Sequence, residues 1–153
     1  MSAMLENILP SDIEEMGRLL GDVAHDFEGK TVLLSGAAGF LGRYFVALFE
    51  HMNKKILKKP CKLIAMDIFI TQVSPDWTYQ DSEHFTFFRH DIIEKVKVAG
   101  PIDYIVHASG IASPFYYRKY PLETLDVAIT GTRNFLDIAR EKGSRFTFFS
   151  SSE

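Results

Sequence analysis

Among 153 residues there is one cysteine, Cys61, so no disulfide can form within the chain and a reducing compartment fits. Surplus positive charge is missing too. Seventeen Lys and Arg stand against 20 Asp and Glu, a net charge of -3, which removes the electrostatic case for nucleic acid or an anionic membrane as partner. No apolar run approaches the roughly 18 to 20 residues of a membrane span. The opening stretch, MSAMLENILPSDIEEM, has no basic region leading into an apolar one, which argues against a secretory signal. Internal repeats and low-complexity segments are lacking. The histidines at 25, 51, 84, 90 and 107 have no ligand-like spacing, so no metal is expected. What is present is 46% apolar residues, enough for a core that offsets the entropy of ordering. The expectation is a soluble cytoplasmic chain.

Ser11-Asp12-Ile13-Glu14 has the S-x-x-E form of a capping box. Ile13, Met16, Leu20, Val23, Ala24 and Phe27 then recur at helical spacing, which predicts a leading helix over about residues 12–26. Residues 1–28 are set apart on this basis from a body over 29–153. Residues 31–35 (TVLLS), 62–66 (KLIAM, ending at Asp67), 85–89 (FTFFR), 103–107 (DYIVH) and 145–150 (RFTFFS) read as strands. Between them, Leu41, Tyr44, Phe45, Leu48, Phe49 and Met52 mark a second helix. Leu122, Leu125, Ile129, Phe135, Leu136 and Ala139 mark a long one that Pro121 can open and Gly143 can end. Continuous apolar strands separated by helices predict an α/β fold, a doubly wound parallel sheet covered on both faces. Residues 68–84, with Pro75 and Trp77, read as a polar connection that holds a helix or only a loop.

The stretch LLSGAAGFLGRYF at 33–45 places Gly36, Gly39 and Gly42 at every third position between the first strand and the second helix. A helix N-terminus presents unpaired N–H groups and the positive end of its dipole. Glycine permits positive φ and close approach of a phosphate to the backbone. The spacing G-x-x-G-x-x-G is a variant of the dinucleotide fingerprint G-x-G-x-x-G, and a plain tight turn is the other reading. Asp67 follows Gly42 by 25 residues, near the offset of the acid that binds the adenine ribose. A carboxylate there accepts from the 2′- and 3′-hydroxyls and repels a 2′-phosphate. No arginine directly follows it, so NAD is favoured over NADP. Asp91, after the third strand, stands where the adenine edge would lie; capping the next turn is the alternative.

With these residues in place, the chain resembles the extended short-chain dehydrogenase/reductase family of nucleotide-sugar enzymes. The matching pieces are GAAGFLG at 36–42, Asp67, Asp91 with Ile92, HAS at 107–109, GT at 131–132 and SSSE at 150–153. The resemblance covers about residues 29–153 and implies a Rossmann-like NAD-binding body. Its cofactor residues would be Gly36, Gly39, Phe40, Leu41, Gly42, Asp67, Asp91, Ile92, His107, Ala108 and Ser109. For His107, backbone contact with the cofactor turn stands beside the reading as a core histidine. The run ASPFYYRKYP at 112–121 is similar to the A-S-P-x-x-Y-x-x-x-P segment of UDP-glucuronate decarboxylases. Ser113, Pro114 and Tyr117 would then lie beside the sugar; packing of the helix start by the aromatics is the alternative.

At the end of the chain, the resemblance gives Ser151 the hydrogen bond to the sugar 4-hydroxyl. Glu153 matches the Glu of dehydratases and decarboxylases, whereas 4-epimerases carry a small residue there. Ser152 stands where dehydratases place an Asp. The implied reaction is oxidation of a UDP-sugar at C4, loss of carbon dioxide from the resulting β-keto acid, and return of the hydride. A 4-epimerase or 4,6-dehydratase is the alternative within the family. The family usually has Asn three residues before the Gly-Thr; here it is Ala128. The chemistry also needs Y-x-x-x-K, and none of the tyrosines at 44, 79, 104, 116, 117 and 120 has a lysine four residues on. The expectation is the NAD-binding part of a longer enzyme, with a non-catalytic NAD-sensing module as the reading from another class. The long helix from Pro121 resembles the one that builds family homodimers, so the parent is expected to be a homodimer.

Overall fold

Five stretches with few charged residues become five parallel strands, and the three central ones, Lys62–Asp67, Thr31–Ser35 and Tyr104–His107, are the apolar runs that helices can cover on both faces. The computed structural model describes residues 9–70 and 81–150. Its strands are β1 (Thr31–Ser35), β2 (Lys62–Asp67), β3 (Phe85–Arg89), β4 (Tyr104–His107) and β5 (Arg145–Phe148). They pair in the order β3-β2-β1-β4-β5. In register, Ser35 lies beside Met66 on one side and His107 on the other, and His107 lies beside Phe148. The chain order turns around between β1 and β4. That is the topological switch point of a doubly wound sheet, where ligands bind in such folds.

Period-two alternation decides which face each strand residue serves. Val32, Leu34, Leu63, Ala65 and Val106 pack on one side with Val46, Phe49 and Met52 of α2 (Phe40–Lys55). Leu33, Ile64, Met66 and Ile105 pack on the other with Phe135, Ile138 and Ala139 of α5 (Thr132–Lys142). Phe135 is fully buried. Removing such a side chain from water stabilises the fold by about 2–3 kcal/mol.

The leading helix, α1, spans Pro10–Leu20 and continues as a 3-10 segment over Gly21–Phe27. The expected capping box does not form. Pro10 starts the helix with its preset φ, Leu9 is the N-cap without a side-chain bond, and Ser11 lies inside the first turn. Ile13 and Met16 pack against Ala47 and Tyr44 on the outer side of α2, and the Tyr44 hydroxyl donates to Asp12 Oδ2 at 3.2 Å.

The expected long helix is three pieces: α4 (Pro121–Asp126), a π-helical turn at Val127–Gly131, and α5. A short helix, α3 (Pro114–Lys119), precedes them. Gly143, at φ 68°, ends α5 in the left-handed conformation as expected, and the Ser144 amide donates to the Ala139 carbonyl. Between β3 and β4 the crossover has no helix, and Val96 and Val98 of this segment pack against the α5 side of the core. Of the 68–84 connection, residues 71–80, with Pro75 and Trp77, lie outside the described residues. Among the described residues no helix is long and apolar enough to cross a membrane.

Candidate functional site

β1 delivers the chain to the switch point at Ser35, and three glycines then do three different things. Gly36 has φ 72°, and a Cβ there would come within 2.6 Å of the Ala108 carbonyl oxygen. The turn after β1 and the loop after β4 therefore touch backbone to backbone. Gly42, in the first turn of α2, would place a Cβ 2.0 Å from the Gly36 carbonyl oxygen. Only a missing side chain lets α2 sit this close to the turn. Gly39 is the N-cap of α2, with its amide donating to the Gly36 carbonyl at 3.1 Å. A Cβ on Gly39 would meet only that carbonyl oxygen, at 3.2 Å. The first amides of the 16-residue α2, at Phe40, Leu41 and Gly42, have no acceptor earlier in the helix.

Asp67, at the end of β2, holds the turn in place. Its Oδ2 accepts from the Ala38 amide at 3.0 Å and its Oδ1 from the Phe69 amide at 2.7 Å. The Ala38 carbonyl in turn accepts from Arg43 Nε at 2.9 Å. A carboxylate has about four lone-pair sites, so two amides leave room for two hydroxyl donors. After β3, Asp91 Oδ1 accepts from the Ile93 amide at 3.2 Å, the turn-capping contact. The side-chain nitrogen of Asn134 on α5 donates to the carbonyls of Ile92 and Ile93, at 3.0 and 2.9 Å, and fixes that loop. A Cβ on Gly131 would lie 2.6 Å from Ile92 Cδ1, so the π-helical turn admits the Ile92 side chain.

These loops enclose a groove of about 580 Å³, open mouth included. Seven of the expected residues line it: Gly36, Gly39, Asp67, Asp91, Ile92, Ala108 and Ser109. The other described ones lie elsewhere. Phe40, 75% exposed, and Leu41 form a separate apolar surface with Met16, Tyr44, Phe45 and Phe149, so only their amides belong to the helix end. Gly42 is buried behind the turn. Ser113, Pro114 and Tyr117 are exposed at the start of α3, outside the groove lining. Ser151 and Glu153 lie outside the described residues. Ile68, Ile70, His90, Gly110, Ile111 and Val127 also line the groove. All but Val127 fall within four residues after a strand end, the one signal that marked them; Val127 begins the π-helical turn and had none.

His107 stands behind the wall, fully buried. Its Nδ1 shares a 2.6 Å hydrogen bond with Ser35 Oγ, and its Nε2 a 3.1 Å hydrogen bond with Thr132 Oγ1. The ring stacks on Phe135 and Phe148, with centroids at 4.9 and 5.5 Å. Burial pushes its pKa down to about 4, so it is neutral at pH 7. At the opposite end of the sheet, Asp103 accepts from the Thr31 amide and, with a smaller effect, from Lys30 Nζ, which hold its carboxyl below the usual range. Burial first, and the Asp103 charge second, push the Cys61 thiol up to about 12.

A parallel sheet in this order, with a glycine turn into a helix and an acid ending the second strand, defines a dinucleotide-binding α/β fold. The chain belongs to the NAD-dependent epimerase/dehydratase family, whose model matches residues 32–153. It is similar to UDP-glucuronic acid decarboxylase 2 of Arabidopsis thaliana, 30% identical over 127 residues, 82% of this chain and 26% of that protein. UDP-glucuronic acid decarboxylase 1 of Danio rerio is 30% identical over 125 residues, 81% of this chain and 28% of that protein. The chain thus spans about a quarter to a third of the length of such relatives. In fold it is similar to epimerase Mth375 of Methanothermobacter thermautotrophicus, with TM-score 0.63, 21% identity, and 88% of this chain and 39% of that one covered. UDP-glucose 4-epimerase of Bifidobacterium longum, solved with NAD+ and UDP, gives TM-score 0.59 at 21% identity, covering 80% of this chain and 37% of that one.

Proposed function

We propose that the groove holds NAD and that this chain is the cofactor-binding part of a nucleotide-sugar enzyme, with decarboxylation of a UDP-glucuronate-like substrate as its reaction. One observation carries the cofactor reading: backbone meets backbone at Gly36 and Gly42 where any Cβ would clash, beside an α2 N-terminus and the Asp67 carboxylate. Such a cradle suits a pyrophosphate, with amides and the helix dipole toward the negative charge. Asp67 has acceptor capacity left for the two ribose hydroxyls, and its charge disfavours a 2′-phosphate. Asp91 and Ile92 would border the adenine, while Ala108 and Ser109 would line the nicotinamide half.

Bound NAD supplies a hydride acceptor for the sugar C4 and returns the hydride at the end. The residues of this chain bind and orient. Ser151 is assigned the sugar 4-hydroxyl, and Ser113, Pro114 and Tyr117 the sugar's surroundings. Glu153 beside Ser152 favours decarboxylation over epimerisation and dehydration. The relatives named as UDP-glucuronic acid decarboxylases support that choice.

Two measurements test the proposal. Calorimetric titration of the chain with NAD and NADP is expected to show binding that favours NAD. The parent protein given UDP-glucuronate is expected to release carbon dioxide. Sugar turned over with its carboxylate kept would replace the decarboxylase with an epimerase or dehydratase. Binding of NAD with no turnover of any sugar would leave a cofactor-binding module.

A further inference from the structure

The walls of the groove come from loops on separate elements, and one side chain, at the root of one loop, bonds to the root of a second and to the helix start that backs a third. Ser35 directly precedes Gly36, His107 directly precedes Ala108 and Ser109, and Thr132 directly follows Gly131, which receives Ile92. The imidazole of His107 is bonded to Ser35 on one nitrogen and Thr132 on the other. We propose that His107 is the positioning residue of the cofactor groove: its ring sets the separation of the Gly36 turn, the Ala108–Ser109 loop and the start of α5, and thereby the affinity for a dinucleotide. This rests on the NAD reading above.

The geometry gives the ring little freedom. It projects from β4, whose neighbours in register at this position are Ser35 of β1 and Phe148 of β5, and Phe135 of α5 stacks on it. Phe146 stands 6.0 Å away by ring centroids. Among the described residues, the hydrogen-bonding and aromatic groups facing it from the elements packed around it are two hydroxyls and three phenyl rings, none of them charged. A neutral imidazole satisfies both hydroxyls, donating with one nitrogen and accepting with the other. A shift of the ring would move two groove loops against each other, and they already touch: the Ala108 amide donates to the Ser35 carbonyl at 3.2 Å. Alignment of contacts at the ångström scale decides how well a bound group is held.

The test separates positioning from stability. NAD affinity and melting midpoint are measured on the same samples of wild type, His107→Phe, Thr132→Val, Ser35→Ala and Leu57→Ala. Leu57 follows the far end of α2 and serves as a core control that does not line the groove. His107→Phe and Thr132→Val are expected to weaken NAD by about tenfold, a factor of the order expected for a lost buried hydrogen bond. Leu57→Ala is expected to bind within about twofold of wild type even where its midpoint falls further. If His107→Phe does not fold, Thr132→Val and Ser35→Ala decide. Affinities of the groove variants within twofold of wild type, or a control that weakens as much as they do, overturn the positioning role and leave the NAD reading standing. Wild type that binds no NAD removes both.

Discussion

Lowering the pH from 7 to 5 loads a proton onto His107 in the unfolded chain but not in the folded one. The folded value is about 4, against an ordinary value of 6.5. The unfolded state therefore binds more protons throughout that window, and stability rises with pH there. The contribution is fully present above about pH 6.5 and is lost as the pH falls through 4. Integrated from pH 7 to 5, this one group removes about 2 kcal/mol, and about 3 kcal/mol over the whole shift. Urea unfolding of wild type and His107→Phe at pH 7, 6 and 5 isolates it, because every other titrating group is common to both. Wild type is expected to lose about 2 kcal/mol more than the variant across the range. A parallel fall in the two proteins would refute the reasoning. So would an NMR titration in which the His107 ring protonates near pH 6.5 in the folded chain.

Gly42→Ala drives a methyl into the Gly36 carbonyl, and backbone cannot step aside as a side chain can. It is expected to cost about 3 kcal/mol or more in urea unfolding, and a loss under 1 kcal/mol would contradict the geometry. Asp67→Asn removes the charge that faces a 2′-phosphate while keeping an acceptor. The preference for NAD over NADP, read from paired titrations, is expected to fall about tenfold or more. Asn134→Ala leaves the carbonyls of Ile92 and Ile93 without their donor. About 2–3 kcal/mol of stability is expected to go, and hydrogen exchange at Ile92–Glu94 to quicken before that of the sheet.

The strands at 31–35 and 62–67 were legible because a parallel strand buried on both faces is a plain apolar run, and the half-buried edge strand at 85–89 was legible from its phenylalanines and β-branched Thr86. The glycine turn was legible because three constraints of different origin fall on three evenly spaced residues. What escaped depends on contacts distant in sequence. Nothing local marks the π-helical turn, whose Gly131 meets Ile92 from the loop after β3. The role of His107 follows from the β1–β4 register, which sets it beside Ser35. Ile68, Ile70, Ile111 and Val127 are single apolar residues at element ends, and only the assembled groove gives them a common purpose. At α1 two local signals competed, and the fixed φ of Pro10 prevailed over the Ser11-Glu14 box.

Cys61 gives the chain a built-in clock. The thiol is fully buried just before β2, its neighbouring amide and carbonyl are both bonded to the Asn53 side chain, and it is the single sulfhydryl present. A thiol-directed dye can reach it only when the outer end of β2 parts from α2. The rate of labelling therefore counts openings of that half of the molecule, one chain and one site at a time. A dinucleotide seated at the opposite end of the strands would slow the clock without touching it if the two ends open together, and leave it running if they do not.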